Sequence, residues 1–216
     1  MALLGPSVSS IKKLITICEG YAEQHGLRYN ATKSEILIFK ARKYNLDSTM
    51  PRIMLGGVPL KVVESFKYLG HVLTGDMKDD MDLERERRAM AIRGNMVARR
   101  FARCNKQVKL TLFKAYCQTF YTCSLWATFT QRAYNTLRVQ YNNVLRMLLK
   151  LPRYCSASGM FAEARTDDFY AIRRKRIASL LTRVRGSSNS LLRTLAERLD
   201  CHLTSYWVDV LIGKAK

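Results

Sequence analysis

The side chains able to do chemistry in this 216-residue chain are few. Two adjacent carboxylate pairs, Asp79-Asp80 and Asp167-Asp168, are of a type that holds Mg²⁺ on a turn. Both stand just before stretches that read as Arg-rich helices, where an anion offsets the helix dipole and accepts from free N–H groups. Capping is therefore the expected role of both pairs, and no metal site or bound cofactor is expected. Cys18, Cys104, Cys117, Cys123, Cys155 and Cys201 fall at irregular spacings without a Cys-x-x-Cys, and His25, His71 and His202 complete no zinc-ligand interval. Free thiols in a reducing compartment are expected. No Ser/His/Asp or Cys/His set and no phosphate-cradling glycine loop is present. Lys33 remains as a catalytic candidate. A turn lysine beside a phosphoryl-transfer centre can protonate or stabilise a leaving pyrophosphate, whereas an isolated surface lysine is a solvated charge.

Binding is better marked than catalysis. The chain holds 37 Lys and Arg against 17 Asp and Glu, a formal net charge of +20, yet 48% of it is hydrophobic. That is too apolar for a disordered basic tail, and no apolar run is long enough for a membrane-spanning helix. Residues 81–216 carry 26 of the basic and 9 of the acidic side chains. Between Glu86 and Glu163 there is no carboxylate, although those 76 residues contain 14 Lys or Arg. Opposite charges one helical turn apart stabilise a helix and like charges repel, so an acid-free tract is costly unless an external anion completes it. The expected anion is a phosphate backbone. A merely basic solvated surface, an acidic membrane face or an acidic protein partner are the competing readings. The opening Met1 to Ser7 has neither a basic leader nor a long apolar stretch, so an intracellular protein, nuclear or cytoplasmic and not secreted, is expected.

The elements that must position these residues change character along the chain. Ile11, Leu14, Ile15, Cys18, Tyr21 and Ala22 recur at helical spacing, Ser7, Ser9 and Ser10 offer caps, and His25-Gly26 ends the helix. Leu27–Tyr29 and Glu35–Phe39 read as strands around an Asn30–Ser34 turn, and a polar connection follows through Pro51. Gly56-Gly57 centres a hairpin, with Pro59 at a strand edge, and Ser65–Leu73 is a further strand. Beyond about residue 80 the pattern is helical. Over 80–103, Leu83, Met90, Val97 and Phe101 form an apolar stripe, while Arg85, Arg88, Arg93, Arg99, Arg100 and Arg103 gather on the other side. Helices are predicted over 106–129, 131–150, 160–185 and 189–200. Most aromatics in these helices are expected in the core, with a few free to stack on bases or a sugar face.

The order of motifs resembles the reverse transcriptases of non-LTR (LINE-type) retrotransposons. The resemblance rests on Cys18-Glu19-Gly20-Tyr21-Ala22, then Gly26-Leu27, Asn30 and Lys33-Ser34, then Phe66-Lys67-Tyr68-Leu69-Gly70. The second segment is similar to that family's motif D, which implies a general-acid role for Lys33. The third is similar to motif E, the primer grip, which implies contacts of Phe66, Lys67, Tyr68, Leu69 and Gly70 with a primer strand. In the family a basic helical thumb follows. Ala115-Tyr116 and Cys123–Trp126 match its Tyr-Gly-x-x-x-Trp-like segment without the glycine.

The family's Mg²⁺-binding aspartates lie in motifs that would precede Ala2–Ser7, so the resemblance implies a C-terminal fragment. Its fold is expected to be α+β: the end of a palm, a helix plus a small antiparallel sheet, over residues 1–77, a helical thumb over 78–152 and a basic helical extension over 153–216. Its expected behaviour is to bind primer–template nucleic acid (RNA template, DNA primer or their hybrid) as a monomer, with no membrane partner and without polymerising. A stand-alone nucleic-acid-binding protein and a decayed reading frame are the alternatives.

Overall fold

A computed structural model of the chain describes residues 1–39, 51–198 and 200–214. Among these residues there are eight α-helices and six short strands in two-stranded pairs. The chain divides into two compact units, one of residues 1–67 with 73–77 and one of residues 68–72 with 78–216.

In the first unit, helix α1 (Val8–Gln24) starts where Ser7 accepts from the Ser10 N–H at 3.2 Å and ends at Gly26, whose φ of +63° closes it. A single 3-10 turn, Ala31–Lys33, is held by the Asn30 side-chain Oδ1, which accepts from the Lys33 N–H and the Thr32 hydroxyl. Strand β1 (Glu35–Leu37) follows, then β2 (Met54–Leu55) and β3 (Val58–Pro59) pair across Gly56-Gly57, both at positive φ as a primed hairpin turn requires. Strand β4 is Lys61–Val63. Ile15, Ile53 and Leu55 form the small core, with Leu3, Val8, Ile11, Ala31, Ile36 and Leu60 against it.

Two expectations fail here. Leu27–Tyr29 forms no strand, because the Leu27 N–H already closes the end of α1 on the Ala22 carbonyl. The predicted antiparallel sheet is in part parallel, with Glu35, Ile36 and Leu37 beside Lys61, Val62 and Val63. The stretch from Leu37 to Lys61 exceeds the dozen or so residues that a parallel crossover needs. The polar connection expected after Phe39 lies, over residues 40–50, outside the described residues.

The expected Ser65–Leu73 strand is a hairpin instead. Strands β5 (Ser65–Tyr68) and β6 (His71–Thr74) pair around Leu69-Gly70, which stand at φ +46° and +87°. Alternating apolar residues gave the strand signal, while the single glycine that permits the turn sits inside the run.

The second unit is helical: α2 (Asp80–Arg100), α3 (Lys106–Cys117), α4 (Gln131–Leu149), α5 (Ala157–Glu163), α6 (Phe169–Arg185), α7 (Ser190–Glu197) and α8 (His202–Leu211). Helix α2 buries Leu83, Met90 and Val97 completely, as its apolar stripe predicts. It lies close on α4 at Gly94, where an added Cβ would fall 2.7 Å from a Val144 methyl. The core is strongly aromatic. Phe113, Phe120, Trp126, Tyr134, Tyr141 and Phe169 are at most 2% exposed, and Phe120 meets Tyr141 and Phe169 edge-on at 5.5 and 5.4 Å.

The predicted 106–129 helix stops at Cys117. Beyond it Phe120, Thr122, Cys123 and Trp126 are buried in non-helical backbone, and Thr122 and Trp126 both donate to Asp82 of α2. The predicted 160–185 helix is two, parted at Arg165 with φ +46°, and the predicted 189–200 helix is the shorter α7. Helix α8 was not foreseen. With Ile177, Leu181 and Val184 of α6, its Trp207 and Val210 make a second core cluster, and the Trp207 indole N–H donates to the Ser124 carbonyl at 2.6 Å.

Candidate nucleic-acid interface

Six arginines of the 80–103 stretch were expected to face a polyanion, and α2 divides them into two groups. Arg85, Arg88 and Arg93 are engaged by carboxylates of the same helix. The Arg85 Nε lies 2.7 Å from Asp82 and its Nη1 3.3 Å from Glu86; Arg88 reaches Glu84 at 2.8 Å, and Arg93 pairs with Glu86. Arg87 adds a two-point contact with Glu84 at 2.6 and 2.8 Å. Its hydrogen bond and that of Arg88 hold the Glu84 carboxyl down at about 2. Arg99, Arg100 and Arg103 are exposed and, among the described residues, pair with no carboxylate. This follows from the sequence, since Glu86 is the last acid before Glu163. The free positive charge therefore stands at the C-terminal end of α2, where it also complements the helix dipole.

The first half of α2 serves a different purpose. Asp82 is completely buried, accepts four hydrogen bonds and stands in ion-pair contact with His71. The Val72 N–H at 3.0 Å, Arg85 Nε at 2.7 Å, Thr122 hydroxyl at 2.7 Å and Trp126 indole N–H at 2.7 Å all point to it, with the His71 Nδ1 at 3.2 Å. The His71 Nε2 lies 3.5 Å from Asp79. Burial disfavours the imidazolium, yet the two carboxylates overcome it and raise His71 to about 9. Burial likewise opposes the Asp82 charge, and the hydrogen bonds from His71, Arg85, Thr122 and Trp126 outweigh it, holding its carboxyl far below the usual range. This clasp fixes the 68–72 hairpin turn onto the start of α2. Gly70 lies there against the ring of Tyr121, an added Cβ being 3.5 Å from its ring carbons.

Within the motif E-like stretch, Lys67, Tyr68 and Leu69 are exposed, Leu69 at 75%, while Phe66 is half-buried. Phe66 and Lys67 belong to the first unit, and Tyr68, Leu69 and Gly70 to the second. Lys33 is exposed at the end of its 3-10 turn in the first unit, and no carboxylate among the described residues pairs with it. Of the aromatics in the helical unit, Tyr116, Tyr121 and Tyr154 are open to solvent at 44%, 76% and 91%, while Phe113, Phe120, Trp126, Tyr134 and Tyr141 are buried.

Neither carboxylate pair is free for a metal. The first pair was expected to cap α2, and its side chains instead reach across the unit. Asp79 accepts from the Ala127 and Thr128 N–H groups at 2.8 and 2.9 Å, and Asp80 from the Thr130 N–H and hydroxyl at 3.0 and 2.6 Å. The non-helical segment between α3 and α4 presents those donors, so each aspartate bridges two elements. In the second pair Asp168 does cap α6, accepting from the Ala171 N–H at 2.6 Å, and Asp167 meets Lys175 at 2.7 Å. A divalent metal ion thus fits neither pair. No group of three or more His, Cys, Asp or Glu among the described residues is arranged to hold a metal ion.

All six cysteines are free thiols, and burial pushes Cys117 up to about 11 and Cys123 up to about 12. No described helix is long and apolar enough to cross a membrane.

The residues that sequence reasoning missed are His71, Asp82, Glu86 and Arg173. For Asp82 and Glu86 a signal existed: both fall on the wheel at the edge of the Leu83–Met90–Val97 stripe, where a carboxylate is buried and so must be paired. Comparison with known proteins finds no matching family model, no similar curated protein and no similar solved structure.

Proposed function

We propose that this chain binds the phosphate backbone of nucleic acid, as the end of the palm and the thumb of a non-LTR-type reverse transcriptase. One observation carries the binding half of this reading: Arg99, Arg100 and Arg103 stand exposed in an acid-free tract with no carboxylate of the chain to neutralise them. Like charges kept together repel, the dipole at this end of α2 offsets only part of that cost, and closely spaced phosphates supply one anion per guanidinium. The family half rests on the resemblance of the Gly26–Ser34 and Phe66–Gly70 segments alone. On this reading the Tyr68–Gly70 turn, held to α2 by His71 and Asp82, backs a primer strand while the arginines track phosphates. Because the chain's own carboxylate pairs are committed to internal contacts, it holds a primer–template without extending it.

The test is a salt-series titration of the full chain with a labelled RNA–DNA hybrid. Each phosphate contact contributes about 0.9 to the slope of log K against log salt, so replacing Arg99, Arg100 and Arg103 with Gln lowers that slope by roughly two to three. An unchanged slope removes these residues from the interface. Primer extension above background with Mg²⁺ and nucleotides would overturn the inactive-holder reading.

A further inference from the structure

Arg173 stands apart from the other cations of the chain. It is 3% exposed, and no carboxylate among the described residues pairs with it. Three aromatic rings surround its guanidinium instead, those of Phe129, Tyr134 and Tyr206, with centroids 5.2, 5.0 and 5.2 Å from Cζ. It donates to the Trp126 carbonyl at 2.9 Å and to the hydroxyls of Tyr134 and Tyr206. Its Nε is buried and has no hydrogen-bond partner. Ring faces and neutral oxygens offset part of the desolvation of a buried cation, but they leave its full charge uncompensated.

This residue forms part of the wall of a cavity of about 470 Å³, together with Gln131, Tyr134, Tyr170, Arg174 and Gly213. Val210 also contributes to the wall, and two further features favour an anion. Arg174 is exposed and, among the described residues, pairs with no carboxylate. Gln131 is the first residue of the 19-residue helix α4, so the positive end of its dipole, which Asp80 also meets through Thr130, borders the cavity. No acidic side chain contributes to the wall.

We propose that this cavity binds a phosphate monoester dianion, between the Arg173 and Arg174 guanidiniums and the N-terminus of α4. Two adjacent guanidiniums match a dianion, whereas a carboxylate would neutralise only one of them. The cavity is large enough for the phosphate alone or for a nucleotide that carries it. This site is independent of the Arg99–Arg103 interface.

The experiment is an NMR titration of the isotope-labelled full chain at about pH 7.5, where the ester is mostly dianionic. The probes are inorganic phosphate, adenosine monophosphate and, at matched ionic strength, acetate. The expected result is saturable shifts at residues 131, 170, 173, 174 and 213 with the first two probes and none with acetate. Arg174→Gln, at an exposed position, should bind at least about tenfold more weakly with an unchanged melting temperature. Tighter binding of the nucleotide assigns the site to nucleotides, and equal binding assigns it to free phosphate. Nucleotide binding without phosphate binding, equal saturation by acetate, or undiminished binding by Arg174→Gln each overturns the proposal. The Arg99, Arg100 and Arg103 variant should leave this titration unchanged, which keeps the two sites separable.

Discussion

Replacing Asp82 with Asn tests the clasp that holds the hairpin turn to α2. The change keeps the shape but removes the charge, and it sets an amide N–H₂ among donors. The Val72 N–H, Arg85, Thr122, Trp126 and His71 all converge on a carboxylate with no exposed surface. Removing one member of a buried ion pair costs about 3–5 kcal/mol, a large share of a typical domain's stability. For a unit of this size that lowers the melting temperature by roughly 6–20 °C.

A second signature separates the clasp from ordinary packing. Folding raises His71 from 6.5 to about 9, so the folded chain keeps a proton that the unfolded chain releases. That contribution is complete below pH 6.5 and is lost as pH rises through about 9; integrated, it is about 3–3.5 kcal/mol. Asp82→Asn should flatten the fall in stability over this window as well as lower its starting level. The assay is a set of thermal melts at half-unit pH steps. A variant that melts within about 2 °C of the parent, or one that keeps the full alkaline slope, would refute the reasoning.

Other substitutions probe other parts of the fold. Gly94→Ala should destabilise by about 1–3 kcal/mol in a denaturant melt, although alanine favours helix, because its Cβ would stand 2.7 Å from a stiff, buried Val144 methyl. Leu69→Asn should stabilise by roughly 0.5–1 kcal/mol, since Leu69 is 75% exposed at φ +46° and Asn-Gly suits that turn. Thiol labelling of the native chain at about pH 8 should modify the four partly exposed cysteines (Cys18, Cys104, Cys155 and Cys201) well before Cys117 and Cys123, whose thiols burial keeps protonated; equal rates would contradict the buried placement.

What the sequence disclosed depended on how local its cause was. Helix α1, the Gly56-Gly57 hairpin and the buried stripe of α2 follow from caps, φ-permissive glycines and a 3.6-residue period, and all were readable. The end of α3 at Cys117 was not, because Phe120, Thr122, Cys123 and Trp126 leave the helix to reach a core built by distant residues. The pairing of β1 with β4 was hidden for the same reason, register being set by partners rather than by the strand itself. Among the site residues, counting acids correctly found the tract that leaves Arg99, Arg100 and Arg103 unpaired. It overlooked that Asp82, Glu84 and Glu86, crowded into the preceding turns, would claim Arg85, Arg88 and Arg93 first. Arg173 looked like one more cation in a basic helix; only the fold brings Phe129, Tyr134 and Tyr206 around it.

The aromatic enclosure of Arg173 also governs how the tail of the chain behaves. Tyr206 closes one side of that enclosure, and the neighbouring Trp207 reaches back to the Ser124 carbonyl. A nick between α6 and α8 would therefore release no loose appendage, since the severed piece stays keyed into the middle of the helical unit by two rings and a guanidinium. Clipping before Tyr206 and washing the piece away would instead open the cage, wet a bare cation and loosen α4 at its first turn.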